Sequence, residues 1–222
     1  MILHLIAGGT ENHPVYQELQ ISNNERQYEF LRSAVTAGIE VRKTFLSTHV
    51  IKALNYHAIV CLHTNAGEFR PCEVTVGKHT PPPAYLVGAL MDDFVNSVNR
   101  DWENADPVAL AAYVLWRLNH IHPFINGNGR TARAACYFVL CLKLGVLLPG
   151  TRILPELISR DRDDYVVALR AADQGDMAPL HAVLIRLLEE QIASAEPPPA
   201  PPPRRINRRL LNARLNTKSS NH

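Results

Sequence analysis

The chain has little of what marks a secreted or membrane-bound protein. Its four cysteines, Cys61, Cys72, Cys136 and Cys141, show no C-x-x-C spacing and stand mostly inside apolar runs. That excludes a thiolate metal knuckle and makes buried free thiols in a reducing, cytoplasmic compartment the expected state. Long hydrophobic runs are missing as well: the most apolar stretch, Ala134 to Leu142, stops at Lys143, well short of the roughly 20 residues that a membrane-crossing helix needs. The opening segment, Met1 to Pro14, has few apolar residues, no positive leading stretch and a break at Gly8-Gly9, so no secretory leader is expected. Nor does one charge dominate. Residues 1–195 hold 17 Lys and Arg against 20 Asp and Glu, which is not the balance of a nucleic-acid-binding body.

What is present is helical periodicity over an apolar content of 46%, enough for one domain with a sizeable core. Residues 14–64 place apolar side chains three and four apart behind capping residues. From Ala66 to Pro83 the pattern breaks: Gly67, Pro71, Gly77 and a triple proline bound the alternating "EVTV", which predicts a short hairpin. Helical spacing resumes at Ala84. Asp106-Pro107 is a strong helix start, and Ala111, Val114, Leu115, Leu118 and Ile121 then form one apolar stripe that ends near His122. "RTARAACYFVLCLKLGVL" is apolar nearly all round and reads as a central, buried helix. Two further helices, broken around Gly175 to Pro179, complete a mostly helical reading. From Glu196 the composition turns to "EPPPAPPPRRINRRLLNARLNTKSSNH", a stiff proline spacer and a basic end expected to be disordered.

Between the stripe and the buried helix lies "HPFINGNGRTAR", His122 to Arg133. A glycine-punctuated turn leading into a helix start can bind anions, because first-turn N–H groups lack partners and carry the positive end of the helix dipole. Gly127 and Gly129 allow close backbone approach, and Arg130 and Arg133, three apart, can fork onto phosphate oxygens. His122 at the rim can take a proton from a hydroxyl. The bland reading makes His122 a helix cap and the arginines solvated, and it is weakened by all these features falling together. Zinc at His120 and His122 is disfavoured, since residues two apart on a helix point to different sides.

This stretch resembles the signature of the Fic family: histidine, proline, phenylalanine, any residue, an acid, then glycine, asparagine, glycine, arginine, two variable residues and arginine. The resemblance extends to "AGEFRPCEVTVGKHTPP", similar to the family's flap, and to "DYVVALRAADQGDMAPL", similar to its C-terminal core helices. It implies an all-α bundle of the Fic type with a short β-hairpin flap, divided into a helical segment at 1–45, a Fic-like core at 46–190 and the tail at 196–222. The implied activity is transfer of AMP from ATP to a Ser, Thr or Tyr hydroxyl of a target protein docked on the flap. His122 is then the base, and Phe124 anchors the loop. Gly127, Asn128 and Gly129 form the anion hole, Arg130 reaches the β-phosphate side and Arg133 the γ-phosphate. The flap residues Val76, Gly77, Lys78 and His79, with Asp173, flank the nucleotide.

Asn126 departs from this pattern, standing where most relatives have the acid that ligates magnesium. An amide oxygen can ligate a hard cation but brings no charge, so Mg2+ affinity is expected to be reduced. The resemblance leaves open a weakened AMP transferase, an enzyme using another nucleotide or a phosphocholine donor, and a non-catalytic nucleotide-binding adaptor. Gly129 argues against the phosphate-transferring Doc type, which has lysine there. "TAGIEV", Thr36 to Val41, matches five of the six positions of the family's inhibitory motif, making Thr36 and Glu40 candidates for self-inhibition. A separate antitoxin chain is the other option for restraint. Nucleic acid is not an expected partner except through the basic tail.

Overall fold

The computed structural model describes residues 10–42, 45–77 and 79–195. The expected proline spacer and basic end, and Lys78 of the flap, lie outside these residues. The elements are α1 (Pro14–Val41), α2 (Thr48–Ile59), a short 3-10 turn (Ala84–Leu86), α3 (Val87–Arg100), α4 (Pro107–Ile121), α5 (Asn128–Leu144), α6 (Leu154–Arg160), α7 (Arg162–Asp173) and α8 (Ala178–Ala193).

Helix α4 starts where the sequence predicts: Asp106 Oδ1 accepts from the N–H groups of Val108 and Ala109 at 3.0 and 2.8 Å, and Pro107 occupies the first turn. Its stripe packs against α5, which is buried continuously from Ala134 to Leu142 and forms the centre of the molecule. No interior position of α5 faces water along that run, which accounts for a sequence apolar on all sides. Around this pair, α1 crosses α2 and α5, and α8 closes the other side over α4, α6 and α7.

The buried face of α1 carries Tyr16, Asn23, Gln27, Leu31 and Val35. Polar members of such a face need partners, and Gln27 Nε2 donates to the Leu54 carbonyl of α2 at 2.8 Å. Gln191 does the same at the other end: Nε2 donates to Tyr137 Oη and to the carbonyls of Leu148 and Pro149, while Oε1 accepts from Leu154 N at 2.6 Å. One fully buried amide therefore fixes α8, α5 and the turn into α6 together.

The fold is all-α, and the expected hairpin is not formed among the described residues. Val76 and His79 make one antiparallel bridge closed by His79 N–H donating to the Val76 carbonyl at 2.9 Å. The prolines at 71 and 81–83 remove ladder donors on both flanks, so "EVTV" has no strand to pair with. Side chains hold the segment instead, with Glu73 accepting from Ala84 N at 2.8 Å. No helix among the described residues is long and apolar enough to cross a membrane.

Candidate active site at the start of the buried helix

The turn between α4 and α5 is fixed from within. His122 ends α4 in the left-handed region at φ 52°, and Gly127 opens α5 at φ 75°. A Cβ on Gly127 would come within 2.6 Å of Ile59 Cγ2, so glycine is required there by both conformation and space. Asn128 folds its buried side chain back on the turn, accepting from Phe124 N at 2.9 Å and donating to Phe124 O at 2.8 Å. Asn55 of α2 donates to the Asn126 carbonyl at 2.9 Å and accepts from Gly67 N at 3.0 Å, tying the turn to the flap base. Phe124 is fully buried beside Phe69, a burial worth about 2–3 kcal/mol. Gly127 has no side chain to cap α5, so the first-turn N–H groups are left for a ligand.

Beside this helix start opens a cleft of about 750 Å³. His122, Gly129 and Arg133 form one part of its wall, Val76, Gly77 and His79 contribute from the flap, and Trp116, Asn119 and His120 from α4. Helix α7 adds Arg162, Tyr165, Arg170 and Asp173. Burial pulls the His122 imidazole down to about 4, with His79 and Arg70 acting in the same direction. The ring is neutral at pH 7 for that reason. Its Nδ1 faces the Asn119 carbonyl at 3.4 Å, and a carbonyl only accepts, so Nδ1 carries the hydrogen and Nε2 keeps a lone pair. That is the state a proton acceptor needs.

The two arginines have different roles, contrary to the expectation of a joint clamp. Arg130 does not line the cleft: its Nη1 donates to the Ala58 carbonyl at 2.8 Å and its Nη2 to Asn126 Oδ1 at 3.2 Å. It braces the turn against α2. Arg133 lines the cleft, with no hydrogen bond or ion pair of its own among the described residues, and burial lowers its pKa from the usual arginine value. It stays charged and unmatched. A second hollow of about 190 Å³, lined by Gln27, Tyr28 and Glu156 among others, meets both arginines from behind.

Asn126 is not disposed as a cation ligand. Its Oδ1 accepts from Gly127 N at 2.6 Å and from the cationic Arg130, and its Nδ2 donates to Glu11 Oε1 at 3.1 Å. An oxygen already taken by a guanidinium and a backbone N–H does not fit magnesium, whose shell demands unshared oxygen lone pairs. Of the other expected residues, Val76, Gly77, His79 and Asp173 do line the cleft. Of the expected anion-hole residues Gly129 lines the cleft and Gly127 and Asn128 do not, the Asn128 side chain being spent on Phe124. Thr36 and Glu40 are exposed near the end of α1. Asn24, Gln27, Tyr28 and Leu31 are the α1 residues beside the arginines, and Glu40 lies nine residues beyond Leu31, about 14 Å along the helix. Glu40 therefore does not reach Arg133.

Sequence reasoning missed several residues that line or support the cleft. Arg70, only 2% exposed, donates from Nε to the His122 carbonyl at 2.9 Å and from Nη1 to the Cys72 carbonyl at 3.0 Å, with Nη2 bonded to the Pro82 carbonyl. It fastens the flap to the turn between α4 and α5. Asn119 donates to Tyr165 Oη at 2.8 Å, joining α4 to α7. Arg162 and Arg170 make the cleft cationic with Arg133, against Asp173 alone. The signal for these two was the arginine spacing on α7, which reads equally well as a solvated face.

Comparison with known proteins agrees with this geometry. Residues 45–140 match the model of the Fic/DOC family. The protein adenylyltransferase Fic of Drosophila grimshawi is 37% identical over 131 residues, which is 57% of this chain and 26% of that protein. The chain thus spans about a quarter of the length of the curated relatives it matches. Among solved structures, Fic-1 (residues 134–508) of C. elegans has a TM-score of 0.67 at 20% identity, covering 97% of this chain and 58% of that one. A Fic-domain-containing signaling protein of Bacteroides thetaiotaomicron gives 0.66 at 23% identity, over 86% and 78%. At such identities the structural likeness shows the fold, and the sequence likeness to the Fic/DOC family lies in residues 45–140, less than half of the chain.

Proposed function

We propose that the chain is a nucleotidyltransferase that moves AMP from ATP onto a hydroxyl of another protein. The observation that carries this is one cleft holding a neutral imidazole with a free Nε2, an uncapped helix start and an unpaired guanidinium. In the proposed step His122 Nε2 takes the hydroxyl proton as the oxygen forms its bond to the α-phosphorus. The bond from that phosphorus to the bridging oxygen breaks, and pyrophosphate leaves. The first-turn N–H groups of α5 and the Arg133 guanidinium take up the phosphate charge, with Arg162 and Arg170 adding to the field. The target segment lies along the flap beside Val76, where backbone groups outside the single bridge accept a partner strand. Homology to proteins named adenylyltransferase supports AMP as the transferred group.

A second reading, a nucleotide-binding adaptor without turnover, is favoured by Asn126, whose amide oxygen is turned to Arg130 instead of to a metal. ATP labelled in the α-phosphate separates the two. Label that appears on lysate proteins with the parent chain and is lost with His122→Ala supports transfer. Tight ATP binding by both forms, with no label from either, selects the adaptor.

A further inference from the structure

We propose that His79, His120 and Asp173 form a site for a divalent transition-metal ion of the zinc type, on the flap side of the cleft. The three residues come from separate elements: the flap turn, the last turn of α4 and the end of α7. One ligand atom from each lies within 4.8 Å of the others. Asp173 Oδ1 lies 3.1 Å from His120 Nδ1, a separation that one ion can bridge once that nitrogen gives up its hydrogen. His79 Nε2 donates to the His120 carbonyl at 2.9 Å, which leaves His79 Nδ1 with its own lone pair. Trp116 Nε1 donates to the same Asp173 oxygen at 2.9 Å and steadies the carboxylate. His79, whose other nitrogen is held by a carbonyl, has the arrangement found behind metal-ligating histidines.

Two nitrogens and one carboxylate suit Zn2+, Co2+ or Ni2+ better than the all-oxygen preference of Mg2+. Side chains of His120 and Asp173 are 31% and 30% exposed, so an ion can enter from the cleft and keep a water or an anion as its fourth ligand. Arg133, Arg162 and Arg170 in the same cleft oppose a bare cation and set the expected affinity in the micromolar range. Occupancy staples the flap turn to the ends of α4 and α7, and so fixes the wall opposite Arg133. The site is separate from Asn126 and does not rest on the chain being an AMP transferase.

The test is titration of the full chain with Zn2+ by calorimetry and with Co2+ by visible absorption, with quenching of Trp116 emission by Co2+ as the proximity marker; the Trp116 and His120 rings are 5.5 Å apart. The expected result is a single ion per chain with a Co2+ spectrum of low coordination number. Affinity falls about tenfold or more in His79→Ala and in His120→Ala, the range seen when a metal's supporting groups are removed. His181→Ala, a histidine paired with Asp106 elsewhere, keeps the parent affinity. His79 lies outside every helix, so that variant tests the site without threatening the fold. Binding no tighter than millimolar, or affinity unchanged in His79→Ala, overturns the proposal.

Discussion

Lowering the pH should destabilise this fold through His122 in a way that a single substitution removes. The imidazole titrates at about 4 in the folded chain because it is buried, against about 6.5 when unfolded. Between those values the unfolded state binds the proton and the folded state does not, so stability is full above the unfolded value and falls as the pH drops toward the folded one. The linkage integral gives a loss of about 2 kcal/mol at pH 5 and about 3 kcal/mol at pH 4, relative to pH 7. Urea unfolding followed by circular dichroism at several pH values, for the parent and for His122→Asn, isolates this contribution. Asparagine keeps a polar group and has no proton to gain, so background titrations common to both chains cancel. The parent should lose those amounts relative to the variant. Parallel curves for the two chains refute the burial argument, and with it the neutral base. Label transfer gives the same quantity a second way: its acid limb belongs near pH 4, and a limb near about 6.5 marks a solvated ring.

Gly127→Ala forces a Cβ to within 2.6 Å of Ile59 at φ 75°, and a lowered melting temperature equivalent to about 2–4 kcal/mol is expected; an unchanged one shows that the turn can move. Gln191→Leu leaves Leu154 N and Tyr137 Oη without their buried partner, for a loss of about 2–4 kcal/mol by chemical denaturation. Asn126→Asp sets a second carboxylate about 3.1 Å from Glu11, which is half exposed, adding a repulsion that costs about 1 kcal/mol in high dielectric while the same group gains attraction to Arg130. That cost should vanish when Glu11→Gln is present, and additive effects in the double variant refute the pairing. Arg133→Leu should abolish ATP binding by calorimetry while leaving the melting temperature unchanged or raised; a marked fall assigns Arg133 to the scaffold instead.

The parts of the fold that were legible are those set by near neighbours in the chain. Asp106 caps α4 with its own next residues, and α5 is apolar on every side because it has no solvent face. The flap misled because "EVTV" alternates, yet a strand also needs a partner with free N–H groups, and the flanking prolines supply none. Helix α6 escaped notice because it is seven residues long and has no side-chain cap, too short to establish a period. Glu40 showed the limit of motif matching: five of six letters fit, but the helix carries them past the site. Arg70 was invisible for another reason, since its partners are carbonyls at positions 72, 82 and 122 that only the folded chain assembles.

The division between Arg130 and Arg133 is the clearest case of function written against stability. Both sit in the first turns of α5, three residues apart, and a sequence has no means to rank them. Arg130 is spent: carbonyl and amide oxygens from α2 and the turn take its donors, and although burial lowers its pKa, Tyr16 and Glu11 act against that shift. Arg133 is enclosed to a similar degree, with no hydrogen-bond acceptor among the described residues and only Tyr165 acting against its burial. Enclosing a guanidinium without an acceptor costs free energy, and the partial positive charge of the helix start beside it adds to that cost. A merely folded scaffold gains nothing from this arrangement, and replacement by leucine would relieve it. The strain is relieved equally by an anion, and the phosphates of the proposed donor would supply one in the cleft that His122 shares. The site is organised in advance for a charge that the protein itself does not supply, which is the condition under which electrostatic stabilisation of a phosphoryl centre requires little rearrangement during reaction.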